Sequence, residues 1–179
     1  MPSATDDVTI SIVPRYPVLS ASITLNNFTI NAGSVDFGSY TLTTNGVTAI
    51  NAGTLSNGTL LAQGVTTSFG NNSGAPVLNV TVTVNSANIS NIQNTIFNYT
   101  VSITKNGGGF DYCQGNNRFN APTSLTMTGG QRLLMSYSAG DTFNADLTLT
   151  VNKPDNNYSI SMAWSGQNYF NGDIILNLN

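Results

Sequence analysis

Apolar and polar side chains alternate with a period of two along most of this chain, and no stretch sustains the 3.6-residue period of a helix. The clearest run is 76–85, where Leu78, Val80, Val82 and Val84 share one face and Asn79, Thr81 and Thr83 the other. Residues 95–104 repeat the scheme, with Phe97, Tyr99, Val101 and Ile103 against Asn98, Thr100 and Ser102. Residues 144–151 put Ala145, Leu147, Leu149 and Val151 on one side, and Tyr158, Ile160, Met162 and Trp164 continue the pattern. Each run predicts a half-buried strand with one wet face, and weaker runs at 18–25, 34–42, 64–69, 131–138 and 169–178 add further strands. The pairs Asn45-Gly46, Asn57-Gly58, Asn106-Gly107 and Asn171-Gly172 predict hairpin turns, because Asn-Gly tolerates the positive φ angles such turns require. Gly129-Gly130, Ala139-Gly140 and Pro154-Asp155-Asn156 predict further reversals. Residues 86–93 and 107–120 are the least regular, and the second segment, with three consecutive glycines, predicts a long surface loop. Strands joined by such reversals predict an all-β fold, an antiparallel β-sandwich of jelly-roll or Ig-like type.

The amino terminus departs from this pattern. Residues 1–7 are polar and acidic, and 8–13 form a short alternating run with Val8, Ile10 and Ile12 on one face. Pro14 and Pro17 then interrupt the strand, since proline lacks an amide donor and restricts the residue before it. This divides the chain into an arm, 1–17, with a detached strand, and a sandwich domain, 18–179. The strand has two expected fates: an edge strand of its own domain, or a donor that completes the sheet of a neighbouring subunit through Val8, Ile10 and Ile12. Head-to-tail exchange of that kind need not close, and an open series builds a filament.

Composition narrows the chemistry. Charged residues make up 7% of the 179 positions, against roughly 25% in an ordinary soluble domain. All eight acidic residues are Asp, and there is neither Glu nor His. A Ser/His/Asp triad, a Cys/His dyad, His-ligated metal sites and Glu-based acid–base pairs are therefore excluded, and no catalytic residue, metal or cofactor is expected. Asp155, Asn156 and Asn157 could contribute oxygens to calcium but lack an EF-hand spacing. The Gly107-Gly108-Gly109 run lacks the Lys of a phosphate loop. The single Cys113 precludes an intramolecular disulfide and is expected as a small buried hydrophobe. A net charge of −3 with five scattered cations gives no footprint for nucleic acid, and no apolar run is long enough to span a bilayer as a helix.

Seven Asn-x-Ser/Thr sequons offer N-glycosylation sites: Asn27, Asn57, Asn71, Asn79, Asn88, Asn98 and Asn157. Chance placement of the chain's 26 Asn and 41 Ser and Thr would give about six, so the count adds nothing to composition. Trp164, Tyr112, Tyr137 and Tyr169 are candidates for a sugar-binding platform, although Trp164 continues the apolar face of its strand, which favours a core position.

Ser34-Val35-Asp36-Phe37-Gly38 and a final strand around Gly172-Asp173-Ile174-Ile175-Leu176, together with the separate 8–13 strand and the uncharged Asn/Thr surface, resemble subunits of prokaryotic extracellular filaments. Archaeal thread-like and bundling pili, and the bacterial TasA/camelysin biofilm-fibre family, are the nearest comparison. The resemblance implies a cell-surface homopolymer assembled by donor-strand complementation, with an adhesive or biofilm role. The long apolar amino-terminal helix of a type IV pilin is absent. Two other readings stand beside it: a carbohydrate-binding or adhesin module with glycan partners, and a virion coat protein, which the leaderless Met1 would fit.

Overall fold

The computed structural model describes residues 2–152 and 159–178. The chain winds into a β-solenoid of about seven turns, not an antiparallel sandwich. Every strand pairing among the described residues is parallel. Each turn lays a strand on each of three faces, except that the first has only an isolated bridge at Val18 on the second face. The first face stacks Asp7–Ile10, Asn27–Ile30, Val47–Ile50, Thr66–Phe69 and Asn88–Ile92, and is continued by Phe110–Tyr112, Arg132–Leu134 and Ser159–Ser161. The second stacks Ser34–Asp36, the opening halves of Thr54–Ala62 and Val77–Ser86, then Ile96–Phe97, Arg118–Phe119, Thr142–Phe143 and Tyr169–Phe170. The third takes Ile23–Leu25, Thr41–Thr44, the closing halves of the two long strands, Val101–Asn106, Thr123–Gly129, Leu147–Val151 and Ile174–Leu178.

The alternating runs do form strands; what changes is their partners. Alternation specifies which side of a strand is wet but not the direction of its neighbour, and a solenoid pairs each residue with its equivalent one turn away. The Asn-Gly pairs are corners rather than hairpins. Only at Asn57 and Gly58 do both residues take positive φ (59° and 68°), where the chain bends between the second and third faces. Residues 95–104 break at such a corner, so Tyr99 is exposed while Phe97 and Val101 are buried. The expected surface loop at 107–120 contains two rungs, Phe110–Tyr112 and Arg118–Phe119, and the irregular 86–93 segment contains another, Asn88–Ile92. The reversal at 154–156 lies outside the described residues.

Inward side chains of successive turns stack in rows. On the second face Phe97, Phe119 and Phe143 lie with centroids 4.8 and 4.6 Å apart and planes within 2°, while Phe69 meets Phe97 edge-on at 5.5 Å. Beside each ring in sequence stands an outward Asn, and these also stack: Asn98 Nδ2 donates to Asn79 Oδ1 (2.6 Å), Asn120 to Asn98 (2.6 Å), Asn144 to Asn120 (2.7 Å) and Asn171 to Asn144 (2.8 Å). Such in-register stacking accounts for the low charge. An ionised side chain repeated on each turn would oppose its own kind, whereas Asn, Ser and Thr can hydrogen-bond to copies of themselves.

Close stacking also fixes glycine at some corners. A Cβ on Gly64 would lie 1.6 Å from the Gly46 carbonyl oxygen one turn below, while one on Gly109 would meet nothing within 4 Å. Gly64→Ala is expected to destabilise the chain by about 1–3 kcal/mol through overpacking against backbone, and Gly109→Ala to change stability by less than about 0.5 kcal/mol. Urea unfolding of the two variants measures the contrast.

Candidate functional site

The solenoid's two ends differ from its middle because one side of each terminal rung has no rung stacked on it. At the first end, Asp7–Ile10 pairs in register with Asn27–Ile30, Val8 opposite Phe28 and Ile10 opposite Ile30. The strand expected to be detached is therefore the edge of its own sheet, with Val8 and Ile10 directed inward. Ile12 does not join them: it lies past the strand and is 81% exposed. Inside this rung a cavity of about 280 Å³ opens, lined by Val8, Ile10, Leu19, Ile23 and Leu25 from the first turn and Phe28 from the second. Residues 17–21 supply only one isolated bridge, Val18 to Asp36, so the first turn covers its interior thinly.

The other end carries the strongest exposed apolar row. Ile174, Leu176 and Leu178 stand in register with Leu147, Leu149 and Val151 and so occupy inward positions. With nothing stacked above, they are 48%, 64% and 80% exposed. Phe170 extends the phenylalanine stack at 5.4 Å from Phe143 and is likewise uncovered. The alternation of 169–178 indicated a strand, but the exposure of its apolar side depends on what lies above it.

Polar groups that face the interior are concentrated at corners and are satisfied within the chain. At the corner between the third and first faces, Thr44 meets Thr48, Thr67 meets Ser86 at 2.7 Å, and Lys105 Nζ meets Asp111 Oδ2 at 2.6 Å. Lys105 also donates to the carbonyls of Gly107 and Ala87, and Asp111 accepts the Ile89 amide. Burial pushes the Asp111 carboxyl above its usual range against the opposing pull of Lys105 and the Ile89 amide. At the corner leaving the first face, Asp141 accepts from Asn117 N and Nδ2 and from Ser136 Oγ. Burial raises its pKa as well, opposed by these donors. Asp36, on the surface, is shifted down by hydrogen bonds from Asn57 Nδ2 and Gly38 N. Cys113 is buried, and burial raises its thiol pKa far above the ordinary value. Among the described residues no group of three or more Cys, Asp, Glu or His is placed to hold a metal ion.

The sequon asparagines are spread over the surface instead of forming one site. Asn27 Nδ2 donates to Asp7, Asn57 Nδ2 to Asp36 and Asn88 Nδ2 to the Val65 carbonyl. Asn71 Oδ1 closes a turn by accepting Ser73 N and Gly74 N. Asn79 and Asn98 belong to the outer amide ladder. Asn157, and with it the 155–157 calcium candidate, lies outside the described residues. The aromatic candidates divide: Tyr112, Tyr137 and Trp164 come together at one corner, while Tyr169 stands on the second face. Trp164 is 57% exposed rather than buried, because its strand ends at Ser161 and the chain has turned a corner before reaching it. No protein-family model, curated protein or solved structure matches the chain.

Proposed function

We propose that the chain is a non-catalytic structural subunit of an extracellular filament in which identical solenoids stack end to end. The observation that carries this reading is the complementarity of the two ends. The last rung presents an uncovered inward row, Ile174, Leu176 and Leu178, and the first rung surrounds an apolar cavity with an unpaired strand edge at Asp7–Ile10. Because both ends share the three-faced section of every internal turn, a neighbour can add its rung by the same parallel pairing that joins turns within the chain. The contact joins two different surfaces, so it propagates as an open series. The amino-terminal strand then contributes as the first-face edge that receives the neighbour's Ser159–Ser161, while Ile23 and Leu25 on the third face meet the incoming row, and no exchange of the strand is needed. An adhesive or biofilm role, and a place outside the cell, accord with the filament resemblance of the sequence and its neutral Asn/Thr/Ser surface.

Negative-stain microscopy over a concentration series tests the proposal. Thin unbranched fibres are expected, and they should disappear when Ile174→Lys and Leu176→Lys are combined. Both positions are solvent-exposed in the single chain, so the lysines should leave its fold intact. A chain that sediments as a monomer at every concentration, or fibres indifferent to the two lysines, would overturn the reading.

A further inference from the structure

On the side of the solenoid, one corner gathers aromatic side chains on its last three turns. Tyr112 closes the strand Phe110–Tyr112; Tyr137 lies one turn on, its amide bonded to the Cys113 carbonyl (2.8 Å); Trp164 lies on the next, where the Ser165 hydroxyl bonds to the Tyr137 carbonyl. The Tyr112 and Tyr137 rings meet edge-on at 5.0 Å, Tyr137 and Trp164 lie 6.2 Å apart with planes 24° apart, and Phe110 extends the row 6.3 Å from Tyr112. Phe110, Tyr112 and Trp164 are exposed, and Tyr137 is half-buried. Single exposed aromatics are ordinary on a protein surface, but a contiguous row of four marks an interaction surface.

We infer that this row binds a neutral oligosaccharide chain lying along the solenoid axis. The chemistry of the corner selects that ligand. Aromatic rings offer apolar surface to the C–H faces of pyranose rings, and the groups interleaved with them are uncharged hydrogen-bonders: Gln114, whose Oε1 accepts from Ser138 Oγ at 2.6 Å, and Ser165. Asp111 and Asp141, on the first face and the corner that leaves it, are turned inward and buried. The exposed Asp146 and Asp173 lie at the corner between the second and third faces, and Arg132 lies over the Phe110 ring at 5.5 Å. From Tyr112 through Tyr137 to Trp164 the row advances by one aromatic per turn, about 4.8 Å, a step comparable to one sugar unit. A linear saccharide can therefore meet successive rings, which a globular ligand would not. Tyr137 and Tyr112 lie one and two turns below the last, so their part of the surface stays open whether or not subunits stack.

Trp164 is the only tryptophan of the chain, and its fluorescence reports on the site directly. Titration with four neutral hexasaccharides (cello-, chito-, manno- and laminarihexaose) is expected to give a saturable change with at least one of them, and none with the matching monosaccharides. Tyr112→Ala and Tyr137→Ala should each weaken binding by at least about tenfold, equivalent to about 1.4 kcal/mol. Tyr137→Phe, which keeps the ring, should bind as the parent does, and so should Tyr169→Ala on the second face. Using the chain with Ile174→Lys and Leu176→Lys separates this result from that of the filament proposal. Absence of a saturable change with all four hexasaccharides at millimolar concentration would overturn the inference. So would unaltered binding by both tyrosine-to-alanine variants, or an equal loss in Tyr169→Ala.

Discussion

Asp111→Ala is expected to lower stability by about 3–5 kcal/mol, because it leaves the fully buried Lys105 ammonium without its carboxylate. The two carbonyls that remain to Lys105, those of Ala87 and Gly107, bear no full charge and cannot replace it. Asp111 also accepts the Ile89 amide, so its loss frees a buried donor on the rung below. A loss of this size approaches the whole stability of an ordinary domain. The discriminating partner is the double variant Lys105→Met with Asp111→Leu. Removing both charges and filling the space with apolar atoms should restore stability to within about 1 kcal/mol of the parent or above it, since the desolvation of two ions disappears together with their attraction. Thermal and urea unfolding near neutral pH measure both. Equal losses in the single and double variants would show that shape, not charge, sets the contribution of this corner.

Phe119→Ala should have an effect of similar size, about 3–5 kcal/mol, by opening a cavity in the middle of the aromatic stack. Phe119 is fully buried and touches a parallel ring on each side, Phe97 at 4.8 Å and Phe143 at 4.6 Å. Both contacts are lost at once. Phe170→Ala is the informative contrast: it has one ring neighbour, at 5.4 Å, and lies on the uncovered last rung, so its truncation should cost less than half as much. Hydrogen exchange resolves where the weakness falls, because in a solenoid each turn contacts chiefly its neighbours. Amides of Arg118–Phe119 and of the rungs on either side should lose protection first.

How much of this was legible in the sequence differs from element to element. The dry side of each strand was: Leu78, Val80, Val82 and Val84 are all buried, and so are Phe97, Val101 and Ile103. Pairing direction was not, because a half-buried strand alternates in the same way whether its neighbour runs parallel or antiparallel. The signal that distinguishes the two was repetition. Ile30-Asn31-Ala32-Gly33 returns as Ile50-Asn51-Ala52-Gly53, and Phe-Asn occurs at 97, 119, 143 and 170. Those later repeats are separated by 22, 24 and 27 residues, since one corner segment or another lengthens from turn to turn, and uneven spacing conceals a period. Trp164 was misplaced for a related reason: counting by twos from Ile160 carries an alternation past the end of a strand that stops at Ser161. Of the apolar arm, Val8 and Ile10 do share an inward side, whereas Ile12, which follows them by the same count, lies beyond the strand. The exposed row at 174, 176 and 178 was out of reach, because exposure there is a property of the missing layer above and not of the strand itself.

The outer ladder of Asn79, Asn98, Asn120, Asn144 and Asn171 bears on how such a molecule can change over generations. Each amide needs only an amide before it and an amide after it. A turn gained by duplication, or lost by deletion, therefore leaves every surviving member with the neighbours it already had. Length can vary in steps of one turn, about 4.8 Å, while the corner segments grow independently, as they already do between the sixth turn and the last. In this architecture the inherited unit is the turn, and overall reach is the quantity open to selection.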